Sequence, residues 1–183
     1  MKSIIVIISA LLIAYTAQAQ QYVDKAGKVH FFSATSMENI EATSTNTVCA
    51  LNTSTKKIVA KIRNTTFKFK NGLMQEHFNE NYMESDKYEY SSLDAVIQED
   101  IDFTKDGVYD VTLKGTFDIH GVKADKEVKG KLTIKNGAPA SATAKFEVKL
   151  SDHKIKIPSL LGANIAENVT VDVDFTFEKY EKK

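Results

Sequence analysis

Residues 109–119 read YDVTLKGTFDI, and the polarity of this stretch changes at every position. Successive side chains of a β-strand point to opposite faces of the sheet, so such a stretch has one apolar face and one hydrated face. The apolar or small parity holds Tyr109, Val111, Leu113, Gly115, Phe117 and Ile119, and the polar parity holds Asp110, Thr112, Lys114, Thr116 and Asp118. The stretch therefore predicts a half-buried strand.

The same alternation returns in residues 128–134, 142–150 and 169–177. It is typical of antiparallel sheets with one solvated face, whereas buried parallel sheets are apolar throughout. A sheet that closes on itself loses its edges and encloses an apolar interior. We therefore expect an all-β protein, an antiparallel barrel of about eight strands.

Several turn signals divide the predicted strands. His120-Gly121, Asn136-Gly137 and residues 105–107 predict hairpin turns, because Gly and Asn tolerate positive φ. Residues 26–28 predict a turn between two strands, and residues 45–46 predict another. A change of parity near residues 64–66 predicts a bulge or bend. The charged tail, residues 178–183, is predicted to be frayed.

The alternation stops in residues 73–85. Met74, Phe78 and Tyr82 recur there at every fourth residue, which is the apolar stripe of a short amphipathic helix. Such a helix among strands closes an opening or packs on the outside of the sheet.

The first residues predict a secretory signal peptide, residues 1–19. Lys2 precedes an apolar run over residues 4–14, which is short for a membrane span, and Ala17-Gln18-Ala19 is a small-x-small cleavage signal. We expect cleavage before Gln20, one domain over residues 20–183, and a periplasmic or secreted protein with no transmembrane span in its mature chain.

The composition and motifs argue against several function classes. The chain of 183 residues has 24 basic and 24 acidic residues, so it lacks the polybasic surface of nucleic-acid-binding proteins. Its four histidines, His30, His77, His120 and His153, show no zinc-ligand spacing, and we expect no metal and no cofactor. No nucleophile motif is present.

Cys49 is the single cysteine, predicted to be a small buried hydrophobe, with a reactive thiol or an intermolecular disulfide as the alternatives.

Three stretches resemble the YceI-like family, secreted lipocalin-like barrel proteins that bind polyisoprenoids, in the form common among Bacteroidetes. They are residues 73–88, LMQEHFNENYMESDKY; residues 115–122, GTFDIHGV; and residues 155–158, IKIP. They occur in the order found in the family and span most of the mature chain. The resemblance implies an eight-stranded antiparallel lipocalin-like barrel with a short helix near its opening. It also implies an isoprenoid or related lipid tail, such as an isoprenoid quinone or a polyprenyl chain, in the interior, and no shared enzymatic reaction.

We therefore expect an exported binding protein, not an enzyme, that holds an apolar ligand within the barrel. The predicted ligand-binding wall consists of Tyr109, Val111, Leu113, Phe117, Leu132, Ile134, Phe146, Val148, Val171, Val173 and Phe175, with Met74, Phe78 and Tyr82 closing the mouth.

Two alternatives stay open at this stage. Small barrels are often filled by their own side chains, and a filled barrel would be a structural or interaction module of the cell envelope. An enzyme acting on a small apolar substrate would need a polar group of shifted pKa in the interior, and Tyr109 and His77 are its candidates.

Overall fold

A computed structural model describes residues 20–34, 39–156 and 166–181. The predicted signal peptide and the Ile157-Pro158 end of the third family-like stretch lie outside these residues. The described residues form ten strands: β1 Gln21–Ser33, β2 Ile40–Asn52, β3 Lys57–Arg63, β4 Lys68–Phe69, β5 Tyr90–Ile97, β6 Gly107–Ile119, β7 Val122–Lys135, β8 Ala138–Lys149, β9 Asn168–Thr176 and β10 Glu178–Lys179. Their one α-helix is α1, Gly72–His77.

The eight longer strands close into one antiparallel barrel. The ring runs β1-β2-β3-β5-β6-β7-β8-β9, and β1 completes it by pairing with β2 on one side and β9 on the other. The two short strands extend the ring at its margins, β4 beside β2 and β10 beside β1. The predicted eight-stranded antiparallel barrel is confirmed.

Bulges, rather than turns, interrupt the first two strands. The β1–β2 register shifts on both sides of Gly27, which pairs with Thr47, and each strand continues past this point. Buried positions change parity there, from Ser44 to Thr47 in β2. The predicted turns at residues 26–28 and 45–46 are therefore wrong, because the strands continue through the bulges. Side chains bond backbone amides at these points: the Asp24 carboxylate accepts a hydrogen bond from Ala26 N at 2.8 Å.

Two of the three predicted hairpins are confirmed. His120-Gly121 joins β6 to β7 and Asn136-Gly137 joins β7 to β8, and all four residues have positive φ. The prediction for residues 105–107 is wrong: β5 pairs with β6 only as far as Ile97 opposite Leu113, so residues 98–106 form a longer loop.

Two further segments concern the edges of the predicted strands. The bend predicted at residues 64–66 is confirmed as a single 3₁₀ turn, which interrupts the pairing with β2 between β3 and β4. The tail is not frayed at its start, because Glu178 and Lys179 pair with Val23 and Tyr22 as β10.

The predicted amphipathic helix is present in two parts. Asn71 caps α1 by accepting from Leu73 N at 2.9 Å, and a π-helical turn, Phe78–Tyr82, continues it. We call residues 72–82 the mouth segment, because it lies in the β4–β5 connection, at the same end of the barrel as the His120-Gly121 turn. No helix in the described part of the chain is long and apolar enough to cross a membrane.

Gly115 lies at a close approach of β5 to β6. It pairs with Ala95, and a Cβ added to it would be 2.1 Å from Asp94 O and 2.4 Å from Ala95 Cα. These obstacles are backbone atoms, which cannot rotate away as a side chain can. The apolar parity of β6 therefore contains a glycine for a steric reason.

We predict that Gly115→Ala destabilises the fold by about 2–3 kcal/mol or more, because the added methyl group overpacks the wall. Gly72→Ala is the matched control, since a Cβ at Gly72 meets no atom within 4 Å. Urea unfolding followed by circular dichroism should place the control within about 0.5 kcal/mol of wild type. Equal stability of the two variants would contradict the close approach.

Candidate ligand-binding site

The barrel contains a cavity of about 620 Å³. Pockets for small molecules typically measure about 300–1,000 Å³ and are lined mainly by apolar side chains. The mouth segment lines one end of the cavity, and residues of β1, β2, β3, β5, β6, β8 and β9 line its wall. Nine of the predicted binding residues are among them: Phe117, Phe146, Val148, Val171, Val173, Phe175, Met74, Phe78 and Tyr82. A role for these nine in binding a ligand stays a prediction.

The other five predicted wall residues, Tyr109, Val111, Leu113, Leu132 and Ile134, do not line the cavity. Four of them are buried in the opposite half of the barrel, where the side chains fill the interior, and Tyr109 packs against them. We call this region the filled half. Its buried side chains include Tyr22, Cys49, Leu51, Ile58, Ala95, Ile97, Val111, Leu113, Leu132, Ile134 and Phe177. The alternation of apolar and polar residues predicted that these five side chains point into the barrel. It could not show which part of the interior is filled by side chains and which part is empty.

Several strands pass from cavity-lining residues to residues of the filled half along their length. On β2 the last lining residue is Thr47, and the next inward-facing residue is Cys49. On β9 the last lining residue is Phe175, and Phe177 of the filled half follows just beyond the strand. On β5, Leu93 lines the cavity whereas Ala95 does not. The filled half therefore forms a floor, and the cavity extends from that floor to the mouth segment.

Four phenylalanines gather near the mouth, and sequence reasoning identified only Phe78. The Phe78 ring stacks on Phe31 at 5.4 Å between ring centroids, and lies 5.5 Å from Phe67 and 5.1 Å from Phe69. All four line the cavity. Aromatic pairs in such arrangements contribute about 0.5–1.5 kcal/mol beyond their area burial, so this cluster holds the mouth segment against the wall.

A polar network fixes the chain that follows the mouth segment. Glu84 Oε2 lies 2.8 Å from His120 Nε2, and the other ring nitrogen, Nδ1, lies 3.2 Å from the carbonyl oxygen of His153. Both partners are acceptors, so the two bonds form together only when the imidazole carries both protons. His153 is buried, and its Nδ1 lies 3.0 Å from Val122 O. These contacts thus tie the chain that follows the mouth segment to the β6–β7 turn.

The cavity wall offers almost no charge. Lys61 is the one charged residue along it in the described part of the chain, and its Nζ sits 3.9 Å from the ring centroid of Tyr90. The Tyr82 hydroxyl is neutral at physiological pH, and burial raises its pKa further above the ordinary tyrosine value. Such a wall suits a neutral apolar molecule.

The residues considered for metal binding or catalysis are not brought together. Among residues 20–34, 39–156 and 166–181, no three His, Cys, Asp or Glu side chains cluster closely enough to hold a metal ion. His77 lies at the mouth of the cavity, whereas Tyr109 belongs to the filled half. The Tyr109 hydroxyl donates a hydrogen bond to Lys105 O at 2.9 Å. The two candidates for acid–base chemistry therefore do not share a site.

The sequence profile of the YceI-like domain family matches residues 17–177. The chain belongs to the YceI-like family. No curated protein sequence is significantly similar to it.

Solved structures share the fold of this YceI-like chain at low sequence identity. A polyisoprenoid binding domain from Saccharophagus degradans, implicated in plant cell wall breakdown, is 13% identical with a TM-score of 0.69; the match covers 89% of this chain and 100% of that one. BcnA from Burkholderia cenocepacia is 12% identical with a TM-score of 0.64, over 81% of this chain and 94% of its own. The Campylobacter jejuni YCEI protein is 16% identical with a TM-score of 0.55, over 81% and 85%.

Cys49 lies in the filled half of this YceI-like barrel with none of its surface exposed. Burial, with a smaller effect from the negative charge of Asp24, raises the pKa of its thiol to about 12. The thiolate is the reactive form, so the structure agrees with the prediction of a buried hydrophobe rather than a reactive thiol.

We predict that iodoacetamide leaves Cys49 unmodified in the native protein at pH 8 and alkylates it fully in 6 M guanidinium chloride. Mass spectrometry of the intact protein measures the adduct at both conditions. Val48→Cys is the control for reagent access, because Val48 is the outward-facing neighbour and is 48% exposed. Rapid native alkylation of the wild-type chain would contradict this burial.

Proposed function

We propose that this protein is an exported carrier that holds an apolar ligand, a polyisoprenoid chain or a similar lipid, in the cavity of its barrel. The observation that carries the proposal is the hollow half of the barrel: about 620 Å³ bounded by apolar side chains, with one charged residue along the described wall. The family assignment and the polyisoprenoid binding domain among its structural neighbours support the choice of ligand class.

Burial of hydrocarbon supplies enough free energy for such binding. Each methylene removed from water contributes about 0.8 kcal/mol, so a chain of fifteen carbons offers roughly 12 kcal/mol before the costs of association. Those costs are about 4–15 kcal/mol for lost freedom of motion. The affinity is then set by chain length and by how well the chain fits the wall, and it needs no charged anchor.

The alternative of a filled barrel acting as an envelope interaction module is less well supported. Its interior would have to be solid, whereas side chains fill only one half. Exposed valines on the outer faces include Val48, Val59, Val96 and Val108. Charged residues interrupt them, since Val48 pairs with Lys61, Val59 with Asp94 and Val96 with Lys57. Large contiguous apolar patches are the usual mark of an interaction surface, and these valines do not form one.

Filling the cavity with a larger side chain should abolish binding without unfolding the barrel. We predict that Val171→Trp, in the cavity wall beside Phe31 and Phe146, lowers the affinity for a polyprenyl chain at least tenfold. The added ring takes the volume that the chain would occupy. Binding is measured by displacement of N-phenyl-1-naphthylamine, an apolar dye, with farnesol as the competitor.

Val108→Trp is the matched control, since the same substitution there lies on the outer face at a residue that is 64% exposed. It should bind farnesol as wild type does. Organic extraction of protein purified from its native host, followed by mass spectrometry, identifies the natural ligand. Absence of any co-purifying lipid together with no farnesol binding by wild type would overturn the proposed function.

The proposal that the protein is exported is based on the cleavage signal Ala17-Gln18-Ala19, which follows the apolar run of residues 4–14. We predict that the protein recovered from cells expressing the full chain begins at Gln20 and is released by osmotic shock. Ala19→Asp, which removes the small residue before the cleavage point, should leave a larger precursor. A cytoplasmic protein that retains Met1 would contradict export.

A further inference from the structure

Two buried hydroxyl groups in the cavity wall have no hydrogen-bond partner within the described part of the chain. They are Thr47 Oγ1 and Ser33 Oγ. Thr47 is 2% exposed and Ser33 is 3% exposed. Buried hydroxyls are nearly always hydrogen-bonded, because an unpaired one keeps the cost of its lost hydration. Each therefore marks a place where a ligand could supply the missing partner.

Thr47 lies at the floor of the cavity, among apolar side chains. It pairs with Gly27 across the β1–β2 bulge, and a Cβ at Gly27 would meet the Phe175 ring at 2.4 Å and Thr47 O at 3.1 Å. Val29 and Phe175 also line the cavity. The next inward side chain of β2, Cys49, belongs to the filled half. Among the residues of β2 that line the cavity, Thr47 thus lies nearest the floor, and its hydroxyl is the polar group there.

The bulge in β2 places Thr47 on the inward-facing side of the strand. Ser44 is the last buried residue on the even parity, and its hydroxyl is paired, at 2.7 Å from Thr66 Oγ1 and 3.2 Å from Asn46 N. After the bulge the odd parity faces inward, beginning with Thr47. Within the described residues, β2 thus satisfies one inward hydroxyl, that of Ser44, and leaves the buried hydroxyl of the cavity-lining residue Thr47 without a partner.

We propose that the floor of the cavity is a subsite for an oxygen atom at the deeply inserted end of the ligand, which hydrogen-bonds to Thr47 Oγ1. The ligand class is then a long apolar chain that carries a hydroxyl or carbonyl group at that end, rather than a pure hydrocarbon. This inference rests on the proposed function, since it places a polar contact within the same cavity.

Ser33 belongs to a separate position. It lies six residues beyond Gly27 on β1, which is roughly 20 Å along a strand, near the mouth. One small polar group cannot reach both hydroxyls. Ser33→Ala therefore removes the other unpaired hydroxyl without touching the floor, and it serves as the matched control.

The test compares two ligands of the same chain, farnesol and its hydrocarbon counterpart farnesene, on four proteins: wild type, Thr47→Val, Thr47→Ser and Ser33→Ala. Valine has the shape of threonine without the hydroxyl, and serine retains the hydroxyl without the methyl group. Affinities come from displacement of N-phenyl-1-naphthylamine, and thermal unfolding of each ligand-free protein is recorded alongside.

We expect wild type to bind farnesol about three- to tenfold more tightly than farnesene, the range that one hydrogen bond supplies. Thr47→Val should lower that ratio to about one while unfolding at a temperature no lower than wild type, because it loses an unpaired buried hydroxyl. Thr47→Ser and Ser33→Ala should preserve the ratio. A purely structural role of Thr47 would weaken both ligands equally.

Two results would contradict the proposed subsite, and they have different consequences for the proposed carrier function. If wild type and Thr47→Val bind both ligands with the same ratio, the floor subsite is wrong and the carrier function stands. If wild type binds neither ligand, the proposed function fails and the subsite fails with it. Should Thr47→Val not fold, Thr47→Ala gives the same comparison of ratios.

Discussion

The barrel exists because β1 pairs with both β2 and β9 and so closes the sheet. An open sheet of these strands would expose two edges and leave its apolar face without cover, whereas the closed ring pairs every long strand on both sides. The bulges beside Gly27 allow β1 and β2 to stay paired along their length. Asp24 supports this point from within, because its buried carboxylate accepts from Ala26 N and from Thr176 N on β9, each at 2.8 Å.

Closure alone does not make a binding site. The filled half of the barrel provides stability, and the other half provides the cavity. Large aliphatic side chains such as Leu51, Leu132 and Ile134 meet across the axis in the filled half and provide a solid floor. Toward the mouth, the wall is held by contacts around its circumference, through the phenylalanine cluster and the Glu84–His120 contact. The protein thus obtains stability from one half and keeps volume in the other, which is how a small barrel accommodates a guest without losing its core.

The strand alternation, the hairpin turns at His120-Gly121 and Asn136-Gly137, and the short helix could all be predicted, because each is encoded by neighbouring residues. The bulges could not, since a parity change accompanied by Gly27 or Asn46 resembles a turn until the partner strand is known. The same limit separated the predicted wall residues into two groups. Leu113 and Phe117 lie on the same face of β6, and only their neighbours on other strands decide that one fills the barrel and the other lines the cavity.

The order of residues was enough to predict an antiparallel sheet with one apolar face, and three stretches of the chain resembled the family to which it belongs. It could do so because side-chain direction in a strand depends only on parity. Only the packing of distant strands shows where the interior is empty, that Phe31, Phe67 and Phe69 join Phe78 at the mouth, and that the Thr47 hydroxyl is buried in the cavity wall with no partner among the described residues. Those features depend on distances between residues far apart in the chain, which closure of the barrel sets and no local pattern records.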